Sequence, residues 1–363
     1  MNYILTTCGL SILTNGLRGY FDLKDIYSNS NLLEDEIDKE LLEKFENEID
    51  KIKKKIGTLN NDESKKLSAE LNALLRYYNN NLDKSDFYKL LHTDTYLGRK
   101  VAEIIEYYLI SKGLKNVSTY TTKDLKTSNI EEFQFALSDL VKDLSEELDG
   151  YKSSKYKIIF NLTGGFKGIN SFLQTMASLY ADESIYIFET GDELLIIPRI
   201  PIKIDEEIFK ENIDIFRALD IGISVAEKKL SLIHRTLINK IDNDYTLSPW
   251  GEIVWQKFKI EYYKKNLLNS ISGKIEFSEN FKNNFNSLNE NEKYQLNKSV
   301  DKLENYLINK FNLKSLNYHA LKGNISERYS HEFYPFDGND SRRCYCNELN
   351  NKIVLEKIDS HLK

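Results

Sequence analysis

The sequence predicts a multidomain protein whose first part is an α/β sheet domain. Three observations predict it. Up to residue 203, short apolar runs alternate with amphipathic helical stretches, the pattern of a parallel or mostly parallel sheet with helices on both faces. The stretch "IIFNLTGGFKGINSFLQTMASLY" (Ile158–Tyr180) joins an apolar run to a helix through a Thr-Gly-Gly turn. From residue 269 the order changes to helices followed by strands, which marks a separate α+β domain.

Along the first domain, "NYILTTCG" is an opening strand and loop. Residues 30–90 hold "LLEDEIDKELLEKFENEIDKIKKKIG" and "ESKKLSAELNALLRYYNNNLDK", charged and helical, with apolar residues at three-to-four spacing. They read as a solvated helical hairpin inserted into the sheet domain, or as a docking arm for a partner. "LGRKVAEIIEYYLISKGL" is a helix with Gly113 near its C-terminus, "VSTYTT" a strand, and "NIEEFQFALSDLVKDLSEEL" a second helix. After the glycine unit, "SIYIFE" and "LLIIPRIPI" are strands. A sheet so wound binds ligands at the C-terminal ends of its strands.

Residues 204–268 read as a small linker domain, helical through "EKKLSLIHRTLINKI", with Ser248-Pro249 opening a further helix. His234 reads as a packing residue. From 269 to 363, "GKIEFS" is a short strand, "ENFKNNFNSL" and "NENEKYQLNKSVDKLENYLINKF" are helices, and "ERYSHEFYPF", "SRRCYCNEL" and "KIVLEKIDS" are successive strands. The turns at Asp337–Asp340 and Asn350-Asn351 suit antiparallel hairpins.

Composition narrows the class. At 363 residues the chain has room for two or three domains. No stretch approaches a membrane span, and "MNYILTTCG" lacks a basic segment ahead of a long apolar core, so a soluble cytoplasmic protein with no membrane partner is expected. Cys8, Cys344 and Cys346 fit neither a disulfide framework nor a zinc knuckle, and no metal site is expected. A net charge of −6 argues against polyanion binding by the whole surface. Three of the five histidines, His319, His331 and His361, fall near the C-terminal end with Arg328, Arg342 and Arg343.

The glycine turn has its own physics. Gly164 and Gly165 let a ligand approach the main chain, and the first helical N–H groups point outward unpaired. That is an anion site in outline, with Lys167 adding charge and Asn161 and Thr163 adding hydrogen bonds. The turn matches neither phosphate-loop pattern, so a turn that needs glycine for geometry alone is the other reading.

Three motifs together resemble a CARF domain, the CRISPR-associated Rossmann-like module. "TTCGLSILTN" (Thr6–Asn15) is similar to its first-strand loop, with Gly9, Ser11, Thr14 and Asn15 in ligand-facing places. "HTDT" (His92–Thr95) is similar to its Asp-Thr motif, giving Thr93, Asp94 and Thr95, and "NLTGGFKG" to its Asn-x-Thr-Gly-Gly-x-Lys motif, giving Asn161, Thr163, Gly164, Gly165 and Lys167. The resemblance covers residues 1–203. It implies a homodimer binding a cyclic oligoadenylate made by a type III CRISPR complex, with cyclic tetra-adenylate as activator. A ring of phosphates needs N–H groups, hydroxyls and a few cations, which these residues supply. A twofold ligand suits a twofold dimer.

The linker is winged-helix-like, and the C-terminal domain, with "HALKG" and "SRRCY", resembles the RelE toxin fold. The chain departs from it in carrying Arg342 before Arg343 where an aromatic is common, and histidines where some relatives have lysines. A CARF domain joined to a RelE domain resembles the CRISPR-associated mRNA interferases, which implies cleavage of messenger RNA on the ribosome. Metal-free cleavage needs a base for the 2′-OH, an acid for the leaving oxygen and cations for the charge on phosphorus, and no catalytic cofactor. Arg343 suits the phosphate, His331 and His361 are candidate acid and base, and Lys322 and Lys357 candidate backbone contacts. His319 ranks behind them. Strand alternation allows that His331 is instead half-buried beside Tyr329 and Phe333, and sends Arg342 and Arg343 to opposite faces.

Other effectors of this type carry other nucleases. A HEPN ribonuclease needs Arg, four to six residues, then His, and no such pair occurs. A restriction-type nuclease needs Glu-x-Lys on a strand, and Glu63-Ser64-Lys65 lies in the charged insert. The remaining alternative is a cyclic-oligoadenylate-responsive DNA-binding transcriptional regulator. Against it, the linker is nearly balanced in charge where a DNA-contacting helix is basic.

Overall fold

The computed structural model describes residues 1–188, 193–311, 313–338 and 340–360, in two units, Met1–Lys203 and Ile204–Lys363. In the first unit the chain runs through β1 (Asn2–Thr7), α1 (Ser11–Gly16), α2 (Leu23–Ser28), α3 (Lys39–Ile56), α4 (Asn61–Leu67) and α5 (Ala69–Tyr77). It continues through β2 (Phe87–Leu91), α6 (Tyr96–Ser111), β3 (Val117–Tyr120), α7 (Ile130–Ser153), β4 (Lys157–Asn161), α8 (Lys167–Tyr180), β5 (Glu183–Ile187) and β6 (Leu194–Pro198). The strands form one sheet in the order β3-β2-β1-β4-β5-β6. All neighbours are parallel except β5 and β6, which are antiparallel.

The register sets Ile4 beside Tyr88 and Ile159. These side chains face one way and pack with the apolar stripes of α3, α5 and α6. On α3 the stripe is Phe45, Ile49, Ile52 and Ile56, spaced by three and four residues so that all four share one side of the helix. Tyr3, Ile158 and Phe160 alternate to the other face, toward α7 and α8, where Tyr3 meets Tyr151 at 4.5 Å between ring centroids.

The solvated hairpin expected over residues 30–90 is not what forms. Leu71, Leu74 and Leu75 of α5 are fully buried and α5 lies on β4, β5 and β6, while Phe87–Leu91 is itself a central strand. Each such leucine contributes about 2 kcal/mol by burial. Most of the charged residues line the outward side, which is why the composition reads as solvated, but Glu70 and Asp86 are buried.

The second unit holds α9 (Glu207–Glu211), α10 (Ile213–Asp220), α11 (Glu227–Leu230), β7 (Ile238–Ile241), β8 (Asp244–Leu247) and α12 (Pro249–Tyr263). It ends with β9 (Ile275–Phe277), α13 (Glu279–Ser287), α14 (Glu290–Asn309), β10 (His319–Ala320), β11 (His331–Phe333), β12 (Arg342–Leu349) and β13 (Lys352–Ser360). The helix expected over "EKKLSLIHRTLINKI" stops at Leu230, and its β-branched end pairs antiparallel with β8 around Asp242, whose φ is +51°. Ser248 caps α12 as expected, accepting from the Gly251 N–H at 3.0 Å with Pro249 at the first position. His234 is exposed and caps a short turn through Thr236 rather than packing.

The second sheet runs β10-β11-β12-β13-β9, antiparallel except for β9 alongside β13. Asn350 and Asn351 both adopt left-handed backbone, the geometry of a tight two-residue hairpin. Phe281 and Phe285 of α13 and Leu296, Val300 and Leu303 of α14 pack on Phe333, Cys344, Cys346, Leu355 and Ile358. Tyr294 of α14 belongs to the aromatic core of residues 204–268 around Trp255, so that segment and α14 share packing.

Candidate functional site

In the first sheet the strand order turns back between β1 and β4. In open α/β sheets, ligands bind outside the strand ends at this switch point. The loop after β1 and the glycine turn after β4 meet there. Gly9 packs against Gly165 so closely that a Cβ on Gly9 would collide with the Gly165 backbone. Gly165 has φ +94°, which needs glycine. Thr7 Oγ1 donates to the Gly164 carbonyl at 2.6 Å, and Asn170 Nδ2 donates to the same oxygen at 2.7 Å.

Glu70, at the start of α5, binds the two loops together. Its carboxylate accepts from the Gly9 N–H at 2.6 Å, from Ser11 Oγ at 2.9 Å and from Ser68 Oγ at 2.7 Å. It also fills the space a Cβ on Gly164 would need. Glu70 is fully buried, and burial raises its pKa above the ordinary carboxylate value although the hydrogen bonds from Ser68, Gly9 and Ser11 pull the other way. Sequence reasoning missed this residue. The signal for it was a carboxylate four residues before Leu74, on the apolar stripe of its own helix.

The other motif residues are placed as follows. Asn161 is buried, its Nδ2 donates to the Glu70 carbonyl at 3.2 Å and its Oδ1 accepts from the Thr163 N–H. Thr163 Oγ1 is a buried oxygen with no hydrogen-bond partner among the described residues. No side chain caps the first turn of α8, where Lys167 is exposed and pairs with no carboxylate among the described residues. Thr14 bonds back to the Ser11 carbonyl, and Asn15 donates to the last carbonyls of α4. The Asp-Thr motif does internal work: Thr95 caps α6, Thr93 bonds to Thr95, and Asp94 accepts from the Asp124 N–H at 2.8 Å. His92 is buried, which lowers its pKa, and its Nδ1–H donates to the Thr93 carbonyl.

On the second sheet, strand alternation divides the catalytic candidates. Arg343 pairs with Asp359, and Tyr345 with Glu332 and Lys357, all on the face away from α13 and α14. Arg343 lies over the Tyr334 ring, and its Nε is 3.9 Å from Glu332. Glu332 is buried, with Oε2 unpartnered among the described residues, and its Oε1 is 3.4 Å from His319 Nε2. His319 Nδ1–H donates to the Asn317 carbonyl at 2.7 Å. Lys357 pairs with Asp359 at 2.5 Å, which raises its pKa. Tyr329 reaches Tyr345 at 5.2 Å between rings.

His331 is on the other face, stacked on Tyr318 at 5.0 Å and 3.7 Å from Glu348. Arg342 also faces the helices, paired with Asp340 and with Glu292 of α14. Lys322 is exposed in the segment after β10. His361 lies outside the described residues, as does Asn339 in the turn before β12. The structure therefore groups Arg343 and Lys357 with His319, Glu332 and Tyr345, and leaves His331 apart. Cys344 and Cys346 are buried in the core, and burial raises both thiol pKa values.

Residues 65–200 match the model of a family described as "CRISPR-associated protein (Cas_APE2256)". That stretch holds α5 with Glu70, the 92–95 motif, the glycine turn and α8, and the match identifies a CRISPR-associated protein. It reaches neither the loop after β1 nor the second unit. No curated protein matches the chain. Among the described residues no helix is long and apolar enough to cross a membrane.

Proposed function

We propose that this CRISPR-associated protein is a ligand-controlled ribonuclease. Cyclic tetra-adenylate binds a homodimer at the switch point of the first sheet, and the second sheet then cleaves mRNA on the ribosome as a RelE-like, metal-independent endoribonuclease. One observation carries the ligand half: two glycine loops abut at the switch point beside an uncapped helix start and Lys167, which is unpaired among the described residues. Backbone N–H groups, hydroxyls and a free cation suit a phosphodiester ring.

The cleavage half rests on the cluster around Arg343. Its guanidinium, over the Tyr334 ring, is held ready to grip phosphate oxygens, and Lys357 adds a second cation on the same face. His319, placed between a carbonyl and a buried carboxylate, takes the acid/base role in preference to His331. The 2′-hydroxyl gives its proton to water as its oxygen attacks phosphorus, the bond to the 5′-oxygen breaks, and protonated His319 gives that oxygen the proton it needs.

Calorimetry with cyclic tetra-adenylate, followed by cell-free translation with primer extension of the message, tests both halves on wild type, Lys167→Ala and Arg343→Ala. Expected are ligand-dependent cuts on translated message by wild type, lost in Arg343→Ala, and weaker ligand binding by Lys167→Ala. Tight ligand binding with intact message would sink the nuclease reading and leave a ligand-responsive DNA-binding regulator to be tested by promoter binding.

A further inference from the structure

The proposed ligand site already contains a carboxyl group, held by donors that suit an anion. Glu70 takes the Gly9 N–H and the Ser11 and Ser68 hydroxyls, and its carboxylate sits under Gly164 where a side-chain carbon does not fit. No cation pairs with it among the described residues, and the groups that hold it are neutral donors. Burying an unpaired carboxylate is costly, and a glutamine of the same shape would hold two loops together at lower cost. The donors it occupies, a glycine N–H and hydroxyls, are those that recognise a phosphate oxygen. Asn161 holds the Glu70 carbonyl, and α5 continues from Glu70 across β4, β5 and β6.

We propose that Glu70 is a built-in stand-in for the ligand phosphate: in the free protein it occupies the donors of Gly9 and Ser11, and a phosphate group of the ligand takes them over and expels it. The inference rests on the ligand-binding reading above. Expulsion moves the start of α5, so the displaced carboxylate converts phosphate binding into a shift of a helix packed on the sheet. A ligand drives such a change only through its difference in affinity for the two states, and the weaker the internal competitor, the tighter the ligand binds.

The test is calorimetry of cyclic tetra-adenylate with full-length wild type, Glu70→Gln and Ser68→Ala, the folded state of each checked by circular dichroism. Removing the charge in Glu70→Gln is expected to tighten binding about tenfold, and removing one charge-assisted hydrogen bond in Ser68→Ala about threefold or more. Wild-type binding with equal or weaker binding by a folded Glu70→Gln makes Glu70 a fixed scaffold and overturns the stand-in alone. Should Glu70→Gln fail to fold, Ser68→Ala decides by the same sign, since it leaves the carboxylate in place with one donor fewer and also removes the cap that Ser68 Oγ gives the Leu71 N–H. Absence of binding by all three proteins overturns this inference together with the ligand-binding reading. Hydrogen exchange at residues 69–75 gives an independent readout: faster exchange on adding ligand supports expulsion, and unchanged or slower exchange contradicts it.

Discussion

Arg343 lies over Tyr334, its guanidinium carbon 3.9 Å from the ring centroid, on the side of the second sheet away from the helices. His331, one strand away, stacks on Tyr318 on the helix side. Two residues chosen for one reaction thus face opposite ways. Arg343→Ala is expected to lower ligand-dependent message cleavage about a hundredfold, the scale of losing a group that stabilises transition-state charge. His331→Ala should change cleavage less than about threefold and cost about 1 kcal/mol of stability, from the lost ring stacking. Primer extension and urea unfolding of both variants check this. A cleavage loss confined to His331→Ala would place the reaction on the other face.

Gly164 and Gly168 stand four residues apart and differ in what surrounds them. A Cβ at Gly164 meets the Glu70 carboxylate, whereas one at Gly168, in the first turn of α8, meets nothing within 4 Å. Gly164→Ala should destabilise by about 1–3 kcal/mol and weaken ligand binding, because Glu70 or the turn must shift. Gly168→Ala should be neutral or stabilise by up to about 1 kcal/mol through helix propensity. Thermal melts of the two variants settle it, and equal effects would mean that the turn is loose.

How much of this was legible in the sequence depends on what each residue's signal was. β1, the glycine turn, α8 and the last hairpin showed because apolar period and Gly or Asn at turns are local features. Glu70 did not show, because a segment rich in Lys and Glu reads as exposed until the sheet underneath is known. The split between His331 and Arg343 needed the pairing of His331 with Cys346, and the register irregularity between Tyr345 and Cys346, neither of which leaves a local trace. Residues 231–241 misled for another reason: "LIHRTLINKI" has helical apolar spacing, and the hairpin won through its β-branched residues and pairing with β8.

The burial of the Glu70 carboxyl also predicts a pH dependence. Its folded-state pKa is raised by burial above that of an unfolded glutamate, near 4.3. Between the two values the folded state holds more protons than the unfolded one, so stability falls as pH rises. Below the unfolded value the group contributes its full share, which is lost as pH climbs through the folded pKa. Glu70→Gln lacks this term. The melting temperature of wild type minus that of Glu70→Gln should therefore fall from pH 4 upward, and a flat difference would show the carboxylate to be ionised at no cost.

Arg217 of α10 and Asp301 of α14 form an ion pair of 2.6 Å with almost no solvent contact, and Tyr263 at the end of α12 donates to the other carboxylate oxygen. Arg217 Nη1 also holds the Asn269 carbonyl at 2.7 Å. This network joins the segment before residue 269 to the helix that covers the second sheet. Removing one partner leaves the other charge buried, so Asp301→Ala should cost about 3–5 kcal/mol, far more than an exposed pair. If residues 204–268 were an independent linker, the loss would melt that segment separately and give two unfolding transitions. Sharing of this pair and of the Tyr294 packing predicts one transition instead, shifted as a whole. Urea unfolding of Asp301→Ala, followed by circular dichroism and by fluorescence of buried Trp255, distinguishes the cases. Coincident curves from the two probes support a single cooperative unit, and Trp255 fluorescence changing well before the bulk of the helix signal would make the linker independent.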